Sequence, residues 1–206
     1  MAPASLVVAT RNDHKLRELR QILTGVELVP LPADVDLPPE DGTTFAANAL
    51  AKARAAHEAT GLAAIADDSG IEARALDGRP GVRSARYAGP DATDTENLAL
   101  LIRELRDQDD RGVAYVCALV YVDELGDQQL FEGRCEGELA RDPRGENGFG
   151  YDPAFVPRDL EPPDERTMAE LSDDEKHAIS HRGRAARLLA AHLGLPPAAE
   201  PTRSGQ

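Results

Sequence analysis

Apolar residues recur along the chain in two rhythms, and the switches between them outline the fold. Leu6-Val7-Val8-Ala9 is a short apolar run that reads as a buried strand. It leads through Thr10-Arg11-Asn12-Asp13-His14-Lys15 into a helix whose Leu16, Leu19, Ile22 and Leu23 share one face, with Gly25 as its stop. A short strand follows at Glu27–Leu31, then a Pro-rich loop from Pro30 to Pro39. Thr43 or Thr44 can cap a second helix running to about Ala59 and closed by Gly61.

Ala63–Ala66 predicts a short buried strand that delivers Asp67-Asp68-Ser69-Gly70 at its C-terminal end, with a second strand over Ile71–Leu76. A Gly- and Pro-punctuated loop reaches Gly89, and Thr93-Asp94-Thr95-Glu96 has the spacing of a capping box ahead of Leu98, Leu101, Ile102 and Leu105. Val113–Val122 and the alternating Gln128–Leu139, separated by Gly126-Asp127, predict a long β-hairpin. After a loop over Arg141–Gly150, Tyr151–Val156 is a short strand whose Pro153 places it near an edge or bend. Ser172-Asp173-Asp174-Glu175 opens a last helix, with Ile179, Ala186, Leu188, Leu189 and Leu193 on its apolar side. Residues 1–194 thus form the folded part, and 195–206 are expected to be a disordered tail. Strands and helices mix without strict alternation, so the pattern calls for a mixed sheet in an α/β fold.

Composition narrows the function. The chain has 206 residues, 41% of them hydrophobic and only 4% aromatic, so the core must be built mostly from Leu, Val, Ile and Ala. A formal charge of −14 argues against binding nucleic acid or an anionic membrane, while leaving room for a small anionic substrate in a cleft where cations gather. Cys117 and Cys135 lie in strand-like runs outside any metal-ligand spacing and read as buried thiols. The start MAPASLVVAT has neither the cationic beginning nor the apolar length of a signal peptide, and no stretch has the ~20 apolar residues needed to span a membrane, so a cytoplasmic location is expected. Of 23 basic residues only Lys15, Lys52 and Lys176 are lysines. A compact ammonium meets a phosphate oxygen differently from a guanidinium, which singles these three out.

Four places could carry chemistry. Thr10–Lys15 enters a helix N-terminus, where backbone N–H groups favour an anion; taken alone it is equally a capping turn, and it is not a Walker A loop. Glu40-Asp41 and Asp67-Asp68 offer hard oxygen ligands for a divalent ion, although an Asp-Asp turn before Ser-Gly also fits a solvated bend. In Phe149-Gly150-Tyr151-Asp152, Gly150 permits close approach and Phe149 a stacking face, or the segment simply starts a strand. Lys176 stands with Ser180-His181-Arg182; on a helix Lys176 and Ser180, four apart, share a face, as residues of a solvated face also would.

The order and wording of the motifs say more than any one of them. Thr-x-Asn-x-x-Lys after the first strand, Thr44-Phe45 with Asn48-Ala49 and Lys52-Ala53, Ala66-Asp67-Asp68-Ser69-Gly70, Ser84-Ala85-Arg86-Tyr87, Gly148-Phe149-Gly150-Tyr151-Asp152-Pro153 and Ser180-His181-Arg182 follow one another in that sequence. The chain therefore resembles the non-canonical purine NTP pyrophosphatases, the inosine/xanthosine triphosphate enzymes, over about residues 5 to 194, and all three lysines fall on motif positions. The resemblance implies a long, twisted mixed sheet flanked by helices, in two lobes with a central active-site cleft, and a homodimer. It implies hydrolysis of ITP, dITP and XTP to the monophosphate and pyrophosphate with Mg2+. By the same resemblance Thr10, Arg11, Asn12, Asp13, His14 and Lys15 cradle the triphosphate with Lys52. Glu40, or its neighbour Asp41, and Asp68 hold the metal, and Asp68 is also the general base. Ser69, Phe149, Gly150, Tyr151, Asp152 and Lys176 contact the nucleotide, with His181 and Arg182 near the base. A donor facing a 6-oxo group, from Arg182 or a backbone N–H, would reject adenine.

Two positions depart from the family pattern. Arg11 stands where glycine is common, and Ala47 where glutamate is usual. The second leaves a competing reading, a purine-nucleotide-binding protein with weakened turnover. A Rossmann-type oxidoreductase is disfavoured because no GxGxxG follows the first strand.

Overall fold

The computed structural model describes residues 3–196. In chain order the strands are β1 (Ser5–Val8), β2 (Glu27–Pro30), β3 (Ala64–Ala73), β4 (Gly112–Val122), β5 (Gln128–Leu139) and β6 (Phe155–Pro157). The helices are α1 (Asp13–Ile22), α2 (Phe45–Thr60), α3 (Asp94–Glu104), α4 (Asp173–Ile179) and α5 (His181–Leu193). The strands form one mixed sheet in the order β2-β1-β3-β4-β5-β6, with β1 parallel to β2 and to β3, and β6 antiparallel to β5. Both edge strands end in proline, Pro30 and Pro157, which lacks the N–H an inner strand must donate.

The chain divides into two compact units. The first takes the segments up to Asp68, Cys117–Gly133 and from Arg182 onward; the second takes Ser69–Val116 and Arg134–His181. In the first unit the strand period of two sorts side chains between two cores. Leu6, Val8, Ile65, Cys117, Leu119 and Tyr121 join the core that holds Leu19, Ile22 and Leu23 of α1 with Ala185, Ala186 and Leu189 of α5. The alternate residues Val7, Ala9, Ala64, Ala66, Val120 and Val122 join Ala49, Ala53 and Ala56 of α2. The helices therefore cover opposite faces, and the alanine stripe of α2 allows it to approach closely. The second unit buries Ile71, Leu98, Leu101, Val113, Leu139 and Phe155 together, with the Tyr115 ring stacked on Phe155 at 4.4 Å between centroids.

Helix ends follow the expected chemistry. Asn12 Oδ1 accepts from the N–H groups of His14 and Lys15 to start α1. Thr44, not Thr43, caps α2, which stops at Gly61 in the left-handed conformation (φ 67°). Thr93 and Ser172 both form complete capping boxes. Cys117 and Cys135 are buried and free, and burial pushes the Cys117 thiol up to about 12.

Three expectations are revised. Asp67-Asp68-Ser69-Gly70 does not end a strand; it lies inside the continuous β3, and the second strand expected over Ile71–Leu76 is its continuation to Ala73. The last helix is two, because Ser180 is extended (ψ 154°) between α4 and α5, and Leu188, expected on the apolar side, is 51% exposed. Pro153 turns Asp152–Ala154 into a 3-10 turn, so the short edge strand begins only at Phe155. The expected tail falls on residues 197–206, outside those described, apart from Leu195 and Pro196; Leu195 donates its N–H to Ala190 O at 2.9 Å and packs against the first core. No helix among the described residues is long and apolar enough to cross a membrane.

Phe155, fully buried against Tyr115, is a sensitive test of the second unit's core. Phe155→Ala should lower the unfolding free energy by about 3–5 kcal/mol, read as a fall in the urea midpoint.

Candidate active site

Because β3 runs straight through the Asp-Asp pair, its two carboxylates project to opposite faces of the sheet. Asp67 shares the face of Ile65, toward α1 and α5; Asp68 shares that of Ala64 and Ala66, toward α2. Each carboxylate meets different partners as a result.

Asp67 is fully buried. Its Oδ2 accepts from Arg182 Nε (3.1 Å) and Nη2 (3.0 Å) and pairs with Lys15 Nζ at 3.2 Å. The remaining guanidinium nitrogen of Arg182, Nη1, is paired with Glu18 of α1. Burial alone would push the Asp67 carboxyl up, but Lys15, Arg182 and Lys52 together hold it well below the usual carboxylate range. Asp67 Oδ1 is buried with no hydrogen-bond partner among the described residues.

On the other face, Asp68 Oδ2 accepts from Asn48 Nδ2 at 2.8 Å. Burial pushes the Asp68 carboxyl above its ordinary value against the pull of that hydrogen bond, and the charge of nearby Glu40 adds to the rise. Lys52, one turn beyond Asn48 on α2, is 5% exposed; its ammonium pairs with Glu40 and donates to the Asp67 carbonyl at 2.7 Å. It is Glu40, not the exposed Asp41, that engages this cluster. Lys15 and Lys52 therefore converge on one residue, Asp67, by its side chain and its backbone.

This donor set suits one kind of ion. Among the described residues no three His, Cys, Asp or Glu side chains gather to cage a metal. Two carboxylates, Glu40 and Asp68, in one cluster with few other ligands match a hard divalent cation that keeps waters and shares phosphate oxygens.

Other expected residues of this unit are placed as follows. Thr10 Oγ1 accepts from Asn12 N at 3.1 Å, and Asp13 and His14 are exposed in the first turn of α1. The Arg11 guanidinium turns to the following loop, donating to the carbonyls of Leu31 (3.0 Å), Pro32 (2.8 Å) and Val35 (2.7 Å). Arg182, grouped with the base in the sequence reading, is 2% exposed and committed to Asp67 and Glu18.

In the second unit a buried carboxylate again organises the group. Asp152 Oδ1 accepts from the Tyr115 hydroxyl at 2.9 Å, and Oδ2 from Lys176 Nζ and the Phe149 N–H, each at 2.9 Å. Gly148 (φ 78°) keeps the turn clear, since a Cβ there would collide with the Asp152 carboxylate. The Lys176 ammonium stands 5.1 Å from the centroid of the half-buried Phe149 ring. His181 stacks on Tyr115 at 4.6 Å. The Gly150 N–H donates to Asp94 Oδ2 (2.8 Å), the Tyr151 hydroxyl to Ser84 O (2.8 Å), and Ser69 is half-buried in β3.

The chain matches the Ham1 family over residues 6–192. The chain belongs to the Ham1 family. It is 50% identical over 197 residues to the dITP/XTP pyrophosphatase of Mycolicibacterium paratuberculosis, covering 91% of this chain and 95% of that one. It is 52% identical over 193 residues to the dITP/XTP pyrophosphatase of Mycobacterium tuberculosis strain H37Rv, covering 89% and 92%. Its structure resembles that of a HAM1 protein from Coxiella burnetii (TM-score 0.83, 42% identity, 92% of this chain and 98% of that one).

Within the Ham1 frame, sequence reasoning passed over Asn48, Glu18, Tyr115 and the separate role of Asp67. Asn48 carried a usable signal, its spacing of four from Lys52 on one helix. Glu18 and Tyr115 carried none, since their partners lie 164 and 37 residues away.

Asp67→Asn would leave Lys15 and Arg182 facing a neutral group in a buried site. It should cost about 3–5 kcal/mol of unfolding free energy by urea denaturation. The wild-type carboxyl is held below its ordinary value of 3.8, so the unfolded chain takes up its proton first. Its stabilisation is complete above that pH and is lost as the pH falls beneath it, and the acid loss should be shallower in Asp67→Asn.

Proposed function

We propose that this protein hydrolyses non-canonical purine nucleoside triphosphates, dITP, XTP and ITP, to the nucleoside monophosphate and pyrophosphate. The observation that carries the reading is Asp68: a buried carboxylate of raised proton affinity, held by a neutral amide, in the same cluster as two lysines and a second carboxylate. Relatives about half identical over nearly their whole length bear the name dITP/XTP pyrophosphatase.

In the proposed reaction Asp68 accepts a proton from water as the water oxygen bonds to the α-phosphorus. The bond from that phosphorus to the α–β bridging oxygen breaks, and pyrophosphate leaves with the electron pair. Lys15 and Lys52 neutralise phosphate oxygens, with the first turn of α1 behind Asn12 as a further anion site. Glu40 and Asp68 would hold magnesium, which when bound offsets phosphate charge and polarises the reacting phosphoryl group. The nucleoside is assigned to Ser69, Phe149–Asp152, Lys176 and His181, with Phe149 as the stacking face beside a fixed cation. With Arg182 committed to Asp67, a backbone N–H is the favoured partner of the 6-oxo group. A homodimer in the cytosol belongs to the same reading.

The competing reading, a binding protein weakened by Ala47, finds no support. Ala47 is an exposed first-turn residue of α2 whose N–H caps onto Thr44 Oγ1 at 3.1 Å. Lys52 is already paired with Glu40.

Incubation with magnesium should release pyrophosphate from dITP, XTP and ITP about 100-fold faster than from ATP. Equal rates on ATP, or release of orthophosphate alone, would reject the assignment; chelation followed by restoring magnesium checks the ion. Asp68→Asn should reduce kcat by about 10²- to 10⁴-fold while the circular dichroism spectrum stays native. Retained turnover would remove Asp68 from the mechanism.

A further inference from the structure

We propose that Asn48 is a positioning residue for this hydrolysis, fixing Asp68 and the loop that carries Glu40 with a single side chain. The proposal rests on the roles given above to Asp68 and Glu40. Asn48 is 3% exposed on α2. Its Oδ1 accepts from the Gly42 N–H at 2.8 Å, and its Nδ2 donates to Asp68 Oδ2 at 2.8 Å. Those partners settle which way the amide faces. A backbone N–H can only donate, so the oxygen must meet Gly42, and the NH2 group must meet the carboxylate.

The local sequence is shaped for this bridge. A Cβ on residue 42 would lie 2.5 Å from Asn48 Oδ1 and 3.3 Å from the Ala47 methyl, so only glycine admits the approach at the observed spacing. Four residues on, Lys52 takes Glu40, two positions before Gly42 in the same loop. One face of α2 thus grips the loop at Gly42 and Glu40 while also holding Asp68. The choice of amide matters. A lysine at position 48 would cancel the Asp68 charge, whereas a neutral donor fixes the carboxylate and leaves its charge for a metal ion or a proton. Asn48 has no proton of its own to exchange at neutral pH, so its contribution is placement.

The test uses the full chain, dITP and magnesium. Asn48→Asp is nearly isosteric and keeps an acceptor for Gly42, so it alters only the side facing Asp68; Asn48→Leu removes both hydrogen bonds. Both should lose about ten- to a hundredfold in kcat, the worth of a hydrogen bond to a charged group. KM for dITP should move by less than about threefold, because the interaction serves the reacting centre and not uniform binding. Magnesium affinity measured by calorimetry without nucleotide should shift in both variants. A kcat for Asn48→Asp within about twofold of wild type, or a loss in both variants that only tracks the folded fraction, would overturn the proposal. If neither variant folds, the Asn48 side-chain amide of the 15N-labelled wild type decides. A proton protected from exchange and displaced in Asp68→Asn is expected; a rapidly exchanging, averaged pair would overturn it. That measurement needs no substrate, and wild-type turnover run beside it shows separately whether the functional reading stands.

Discussion

A carboxylate placed in the middle of a buried strand is the constraint around which the first unit is arranged. Asp67 sits in β3 without exposure, and an unpaired charge there would cost several kcal/mol. Neutralising it draws Lys15 from α1, Arg182 from α5 and Lys52 from α2 to one residue. Those interactions fix the helices that bear them, so packing and electrostatics specify the same arrangement. They also leave the group's charge nearly balanced. Three cations face the carboxylates of Glu18, Glu40, Asp67 and Asp68, one net negative charge when all are ionised. A chain of net charge −14 with such a cluster has no surplus of positive charge to draw in a triphosphate. A divalent ion held by Glu40 and Asp68 would supply positive charge there.

Period two explains why adjacent aspartates take different parts. In a turn, Asp67 and Asp68 would share one solvated environment. In a continuous strand one meets α1 and α5 and the other meets α2. The first is neutralised in an ion cluster, and the second is held by an amide while burial keeps its proton affinity high.

What could be read from the sequence was what depends on neighbours along the chain. The capping boxes at Thr93 and Ser172, the hairpin of β4 and β5 and the stop at Gly61 are local, and the pattern located them, while the cap of α2 was narrowed to Thr43 or Thr44. What could not be read depends on partners far away. Ser69-Gly70 has the composition of a turn, yet flanking strands and buried countercharges keep β3 extended through it. Nothing near residue 180 announces the break between α4 and α5. Lys176 before it serves Asp152, and Arg182 after it serves Asp67. Arg11 stands where glycine is common, and its donors go to the carbonyls of the 31–35 loop, a destination invisible without the fold.

Lysine and arginine take different parts in these clusters. A guanidinium donates in one plane, and Arg182 already covers Asp67 Oδ2 with two nitrogens of its fork. The point charge of Lys15 reaches the same oxygen at 3.2 Å. Lys52 serves a side-chain carboxylate and a backbone carbonyl at once from a single compact ammonium. Lys176 donates to Asp152 while standing over the Phe149 ring, again two demands outside one plane. Each of the three lysines thus pairs with a carboxylate inside one of these groups. Such a cation can also exchange one partner for another without leaving its place, as binding and releasing a polyphosphate requires.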